Sequence, residues 1–256
     1  MKLKDVLFVI AIIGILFYSR ELLKSGSIEG FETCKKNDPV FMSAGQTAAF
    51  LTTDRDTYVS TMTPWDLYAR QASDVRAYID TISSSATNFT PEQQSRFADA
   101  AALADAFFLK NGHAVVASIP WIFAMTKGKI YEDGLSHTRT NIIFVSDEID
   151  ETPDTLVRTL VHEKLHLYQR ANPEKMAHLL ERMGYKRWKL RVYDLRIRAN
   201  PDLDPWIYTD PLDNDKPMAC YYSSDKPTSI SDVTSSAVKE HPYERMAYEI
   251  AKRYHP

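Results

Sequence analysis

Apolar side chains recur at helical spacing in several parts of the chain, and the clearest pattern lies near its middle. Between Thr152 and Asn172 the apolar stripe consists of Leu156, Val157, Leu160, Val161, Leu165 and Tyr168. Steps of three and four residues place these side chains on one face of a helix. Thr152 can cap this helix, Pro153 suits its first position, and Asn172-Pro173 stops it. The pattern predicts a long helix with one buried face.

Three further helices are predicted around this central one. The first begins at Thr63-Pro64, and its apolar stripe consists of Tyr68, Ala72, Val75, Ile79 and Ile82. The second begins at Thr90 with a capping box and ends at Asn111-Gly112. The third follows the central helix, with Asn172 as its cap and Gly184 at its end. We expect the first two to form a scaffold layer.

Two stretches before the central helix are rich in strand-forming residues. One runs from Ala114 to Met125 and is broken by Pro120, and the other runs from Asn141 to Val145. Because the second directly precedes the central helix, it is either an edge strand that can pair with an extended peptide or an ordinary core strand. The pattern predicts an α+β fold that is mainly helical, with a small sheet beside the central helix.

The last part of the chain is rich in turn-forming residues. Proline follows Asn or Asp at Asn200-Pro201, Asp204-Pro205 and Asp210-Pro211, which predicts irregular structure wrapped over the body. Thr228 to Ser236 is rich in Ser and Thr and predicts a mobile loop. A last helix begins at Pro242. Its predicted buried face consists of Tyr243, Ala247, Ile250, Ala251 and Tyr254.

An unbroken apolar run from Val6 to Tyr18 lies near the N-terminus. It is shorter than the roughly 20 residues that span a bilayer, and no small-x-small cleavage site follows it. We expect an uncleaved signal anchor in residues 1–24, which would make the protein a single-pass, membrane-anchored one. The alternatives are a cleaved signal peptide, which would make it secreted, and a buried soluble helix. We expect residues 25–40 to form a linker and residues 41–256 to form the folded domain.

Composition and charge change this picture little. The 256 residues carry a net charge of -3, which gives no electrostatic case for nucleic acid as a partner. Basic residues concentrate between Lys186 and Arg198 and alternate with apolar ones, so they predict the solvated face of a strand or helix more than a nucleic-acid patch. Cys34 and Cys220 can pair in an oxidising compartment and are otherwise two ordinary thiols.

The central helix carries the strongest candidate chemistry, His162-Glu163-Lys164-Leu165-His166. Histidines four residues apart project from the same face of a helix, one turn apart, so His162 and His166 can bind one metal ion. Glu163 is displaced around the helix axis. It can act as general base toward a water at the metal without being a ligand. Zn2+ is the ion expected for this motif.

The last helix offers a third ligand. Glu244 lies at the margin of its buried face, where small alanines let a second helix approach closely. Glu249 instead lies near Arg245 and other basic residues, at spacings typical of solvated ion pairs. Glu244 is therefore the predicted ligand, and Glu240, His241 and Glu249 are the alternatives. Two histidines, one carboxylate and an open fourth position are typical of a catalytic zinc site.

These motifs resemble those of the zincin metallopeptidases of the gluzincin type, in which a glutamate on a later helix completes the metal site. The resemblance rests on His162-Glu163-Lys164-Leu165-His166, on Tyr168-Gln169, and on His241-Pro242-Tyr243-Glu244 with Ala247. More narrowly, Gly134-Leu135-Ser136-His137-Thr138-Arg139 and Asn200-Pro201-Asp202 are similar to motifs in a group of metallopeptidases of large DNA viruses and some protists.

The resemblance implies a zincin-like fold and hydrolysis of a peptide or protein substrate. Zinc would be held by His162, His166 and Glu244, and Glu163 would be the catalytic base. Candidates for the hydrogen-bond donor to the oxyanion are Tyr208, Tyr221, Tyr222 and His241. The alternative function is a membrane-anchored structural or interaction protein, in a virion or host membrane, that keeps the fold without turnover. A hydrolase that acts on non-peptide amides is a third possible function.

Overall fold

The computed structural model describes residues 38–256, which form α-helices and two small sheets, as an α+β fold requires. The predicted signal anchor, most of the predicted linker and Cys34 lie outside the described residues. Val40, which the prediction placed in the linker, is instead part of the first strand. Among the described helices, none is both long enough and apolar enough to cross a membrane.

The elements follow one another along the chain in this order: β1 (Val40–Phe41), α1 (Ala44–Thr53), α2 (Pro64–Ala69), α3 (Val75–Ser84), β2 (Ala86–Thr87), α4 (Pro91–Lys110), α5 (Ala114–Ala117), β3 (Ile122–Thr126), β4 (His137–Arg139), β5 (Ile142–Ser146), α6 (Pro153–Ala171), α7 (Pro173–Arg182), β6 (Lys186–Leu190), β7 (Trp206–Asp210), β8 (Lys216–Met218) and α8 (Pro242–Ala251). Short 3-10 turns lie at Glu132–Gly134, Arg191–Tyr193 and Ala237–Lys239.

The first sheet has the strand order β1-β3-β5-β4, with β2 also paired to β3. β3 lies parallel to both β1 and β5, while β4 runs antiparallel to β5 with Thr138 opposite Ile143. The predicted strand 141–145 is thus confirmed as β5, but it lies inside the sheet, and the edge position belongs to β4. The second sheet is antiparallel, in the order β6-β7-β8.

Helices cover both faces of the first sheet, which explains why its central strands are continuously apolar. In β3, Phe123 and Met125 pack into the core shared with α4, α6 and α8, whereas Ala124 faces the core shared with α1 and α3. Successive side chains alternate between the two faces of a strand. Helix α6 therefore lies against the sheet on one side and against α8 on the other.

Helix α6 forms where the sequence predicts it. The Thr152 side chain accepts a hydrogen bond from the backbone N–H of Thr155, and Pro153 occupies the first turn. The Asn172 side chain does not cap α7 as predicted. It donates to the carbonyl of Tyr168 at 2.9 Å and so closes the end of α6. Satisfying one of the free carbonyls at a helix C-terminus favours the stop at that point.

The single helix predicted from Thr63 to Ile82 is wrong, because the structure has two helices there. Thr63 caps α2 as expected, but Gln71 adopts φ +56°, a left-handed conformation that a helix cannot continue through. The side chain of Asp74 then accepts from the N–H of Ala77 and starts α3. Tyr68, predicted to be in the core, is half-exposed.

The stretch from Ala114 to Met125 is a strand only in its second half. Its first residues form α5, and Pro120 separates that helix from β3. The loop predicted to be mobile, Thr228 to Ser236, is held by Asp232, whose Oδ2 accepts from the backbone N–H groups of Thr228 and Ser229. Ile230 within it is buried.

Two basic side chains predicted to be solvated turn inward. Arg245 is buried, and its Nη1 donates to Oδ1 of Asp210 at 2.8 Å, whereas Glu249 pairs with Lys252 on the surface as predicted. Arg198 pairs with buried Glu240, although Lys186 and Arg187 at the start of β6 are exposed as expected. Burial of a charged side chain requires such a partner.

Candidate metal centre

The side chains of His162, His166 and Glu244 converge on one point, where α6 meets α8. The two Nε2 atoms are 2.9 Å apart, and Oε2 of Glu244 lies 3.3 Å from Nε2 of His162 and 3.8 Å from Nε2 of His166. A tetrahedral zinc site with bonds of about 2.0–2.2 Å places its ligand atoms roughly 3.3–3.5 Å apart. These three residues therefore form a group that could hold a metal ion. Within the described residues no fourth His, Cys, Asp or Glu joins it.

The orientation of His166 is set by Gln169, one turn further along α6. Oε1 of Gln169 lies 2.8 Å from Nδ1 of His166, and its Nε2 donates to the carbonyl of Tyr243. Because an amide oxygen only accepts, Nδ1 carries the proton and the lone pair is on Nε2, facing Glu244. Burial lowers the pKa of His166 to about 3, although the charge of Glu244 opposes the shift. The imidazole of His166 is thus neutral, and its Nε2 lone pair can bind a cation.

Hydrogen bonding orients the carboxylate of Glu244 and favours its ionised form. Burial raises its pKa, but the hydrogen bond with His162 and the contributions of both histidines and Asn200 outweigh that effect and lower it to about 2. The Nδ2 group of Asn200 donates to Oε1 of Glu244 at 2.8 Å. This leaves Oε2 as the oxygen that faces the two histidines.

The other predicted ligands are engaged elsewhere. Glu240 is buried but accepts from Nη2 of Arg198 at 2.6 Å. The Nε2 atom of His241 lies 3.2 Å from Oδ1 of Asp204, and its Nδ1 accepts from the N–H of Tyr243 at the start of α8. Glu249 lies on the surface. The geometry favours Glu244 among the four candidates.

Glu163 lies beside this group and is 3% exposed. Its Oε2 is buried with no hydrogen-bond partner among the described residues. Burial raises the pKa of Glu163 well above its ordinary value, and the negative charges of Asp202, Glu244 and Glu151 raise it further. An orphaned carboxylate oxygen and a concentration of carboxylates around two imidazoles fit a site built for a cation.

A cavity of about 470 Å³ opens onto these residues. His162, Glu163 and Glu244 line it, together with Asp202 and the partly exposed Tyr248. Tyr248 follows Glu244 by four positions along α8, so both project on the same side of the helix. The Tyr248 ring packs against that of His162, and its hydroxyl makes no hydrogen bond within residues 38–256.

The four side chains proposed as oxyanion donors from sequence do not line this cavity. The Tyr208 hydroxyl donates to Asp204, which also holds His241. The Tyr222 hydroxyl donates to Asp66 in the core, and Tyr221 packs with Ile197 and Ile207. None of these four candidates is therefore placed to donate into this cavity.

The outer edge of β4 is already occupied at Thr138. The backbone N–H and Oγ1 of Thr138 both donate to Oδ1 of Asp202, at 2.6 and 2.7 Å. The guanidinium of Arg170, at the end of α6, donates to the carbonyl of Thr138 and to that of Pro201. Since Thr138 is the central residue of a three-residue strand, no extended peptide can pair there while these contacts persist.

Sequence reasoning missed Asn200, Asp202 and Tyr248 as parts of this site. Tyr248 could have been found, because residues four apart on a helix share a face and Glu244 was already a candidate. The motif Asn200-Pro201-Asp202 was noted in the sequence, but it was given no role in the site, because no periodicity predicts the path of its irregular segment. No protein-family model, no curated protein and no solved structure matches this chain.

Proposed function

We propose that this protein is a zinc-dependent peptidase of the zincin type, with Glu163 as general base. The observation that carries the proposal is the convergence of His162, His166 and Glu244. Beside them is buried the Oε2 atom of Glu163, which has no hydrogen-bond partner in the part of the chain that the structure describes. A zinc ion bound there would act as a Lewis acid toward water and a peptide carbonyl. A structural zinc site has no use for an unbonded carboxylate beside its ligands.

The residues of the chain divide the remaining tasks. Glu163 takes the proton from the attacking water and delivers it to the leaving amine. Tyr248 is the available donor to the oxyanion, because its hydroxyl makes no hydrogen bond among the described residues and its ring lies against His162. Gln169 holds His166 in the tautomer that presents Nε2. The Val6–Tyr18 run would anchor this peptidase to a membrane.

Metal content and peptide cleavage, measured together, test the proposal. The purified chain is expected to bind about one zinc and to cleave members of a diverse peptide library. Glu163→Gln should bind zinc as well as wild type does and cleave nothing, because it keeps the ligands and loses the base. If wild type binds zinc but cleaves no peptide in any library, the proposal of a peptidase is contradicted. A parallel panel of non-peptide amides separates peptide specificity from general amide hydrolysis.

A second candidate is a membrane-anchored interaction protein that keeps the metal centre without turnover. The occupied edge of β4 favours it, because Asp202 and Arg170 fill the positions where a substrate strand would pair. Substrate can still enter the open cavity without pairing to that edge. The same cleavage assay decides between the two functions.

A further inference from the structure

The segment Asn200-Pro201-Asp202, here called the NPD segment, contacts three elements of the metal centre, one with each residue. Its first residue donates from Nδ2 to Oε1 of Glu244 on α8. The carbonyl of its second residue accepts from the guanidinium of Arg170, at the end of α6. The carboxylate of its third residue accepts twice from Thr138 in β4. The segment thus ties together the helix with two histidines, the helix with the third ligand and the edge strand.

The contact with Asn200 distinguishes the two oxygens of Glu244. Oε1 is held at 2.8 Å by the side-chain amide, while Oε2 lies within 4 Å of both histidine Nε2 atoms. A carboxylate held in this way presents one oxygen to a metal in a fixed direction. Partners of this kind orient a ligand and reduce the conformational freedom that it must lose on binding.

The same amide group also contacts a second carboxylate. Nδ2 of Asn200 donates to Oε2 of Glu240 at 3.2 Å, and Glu240 is held by Arg198 from the other side. The two N–H bonds of one amide therefore bridge Glu240, which lies just before α8, and Glu244 in its first turn. A neutral double donor suits this place, because an acidic side chain would add a third negative charge to a buried pair.

We propose that Asn200 is a positioning residue for the third metal ligand, Glu244. The inference rests on the metal centre of the proposed function and goes beyond it, since it assigns the group that orients Glu244. Loss of such a partner typically lowers metal affinity about 10- to 100-fold. Nothing in this role requires Asn200 to touch the substrate.

The experiment measures zinc affinity of the full chain in detergent by competition with a chromophoric chelator. Asn200→Ala should bind zinc about 10- to 100-fold more weakly, and Asn200→Asp more weakly still. Asn111→Ala is the matched control, because Asn111 donates to a backbone carbonyl at an exposed helix end. Its zinc affinity should equal that of wild type. The visible spectrum of the Co2+-loaded protein should change in Asn200→Ala, since the ligand field depends on how Glu244 is oriented.

A double variant separates positioning from a general effect on the fold. In a Glu244→Ala background, Asn200→Ala should cause no further loss of zinc affinity, because the carboxylate that Asn200 orients is no longer present. Unchanged affinity in Asn200→Ala, or an equal loss with and without Glu244, would overturn the inference. A wild-type chain that binds no zinc would overturn both the inference and the metal centre. Zinc binding that depends on Asn200 without peptide cleavage would leave the inference standing and end the peptidase proposal.

Discussion

The ring of Tyr248 meets the ring of His162 at an interplanar angle of 69°, with the centroids 4.6 Å apart. This contact places the Tyr248 hydroxyl, which makes no hydrogen bond within residues 38–256, at the wall of the cavity next to a candidate metal ligand. We expect Tyr248→Phe to keep the ring contact and to lower kcat about 100-fold, as loss of one oxyanion donor does. Zinc affinity should not change. Steady-state kinetics and a zinc titration check this, with Tyr208→Phe as the control; equal kcat in wild type and Tyr248→Phe would rule out the role.

Gln169 holds His166, so its removal should weaken the metal centre. Gln169→Leu loses the acceptor for Nδ1 of His166 and should lower zinc affinity about 10- to 100-fold. Gln169→Glu keeps an acceptor and should remain within about tenfold of wild type. Chelator competition measures both variants, and thermal unfolding checks that each is folded. A Leu variant that binds zinc like wild type would show that Nδ1 needs no partner here.

Without metal, Glu163 is expected to destabilise the fold. Burial and the charges of Asp202 and Glu244 raise its pKa, so its ionised form is unfavourable at neutral pH. With a chelator present at pH 7, Glu163→Gln should raise the free energy of unfolding by about 1–2 kcal/mol. Denaturant titrations with chelator and with saturating zinc measure the effect. A Gln variant less stable than wild type in chelator would contradict this account.

Lys164 is buried between Asp105 and Trp121 and holds α6 against α4 and α5. Its ammonium donates to Asp105 and to the carbonyl of Ala117, and lies 4.0 Å from the centre of the Trp121 ring. Lys164→Met should destabilise the protein by about 3 kcal/mol, because it leaves the carboxylate of Asp105 without its cation. Adding Asp105→Asn, which keeps an acceptor for Trp121, should restore part of the loss. Chemical unfolding of wild type, Lys164→Met and the double variant measures the free energies of unfolding. A double variant less stable than Lys164→Met would refute this account of the ion pair.

Buried tyrosines should make the fold sensitive to alkali. Burial raises the pKa of Tyr222 above its ordinary value of 10, and Asp66 raises it further against the effect of Arg70. A raised pKa in the folded state gives stability that is complete below pH 10 and is lost as the pH rises. Above pH 10 the advantage of wild type over Tyr222→Phe should shrink by about 1.4 kcal/mol per pH unit. Unfolding free energies of both proteins between pH 8 and pH 11 test this; a constant difference would contradict it.

Local patterns were sufficient to predict the helix that carries the histidines. These patterns are the cap at Thr152, the proline after it and the apolar stripe. Each depends only on residues within one or two helical turns, so it can be recognised from the sequence. The same is true of His162 and His166, whose spacing alone places both on one face. The split between α2 and α3 was missed, because the left-handed conformation of Gln71 has no signature in its residue type.

Sequence by itself determined the α+β class, the histidine pair and the candidacy of Glu244, since each depends on the period of a helix or strand. Only the tertiary structure decided that Glu244 and not Glu240 faces the histidines, because Glu240 forms an ion pair with Arg198. It also decided that β4 and not β5 is the edge strand, and that the NPD segment reaches both that edge and Glu244. These relations join residues far apart in sequence, and only packing in three dimensions brings them together.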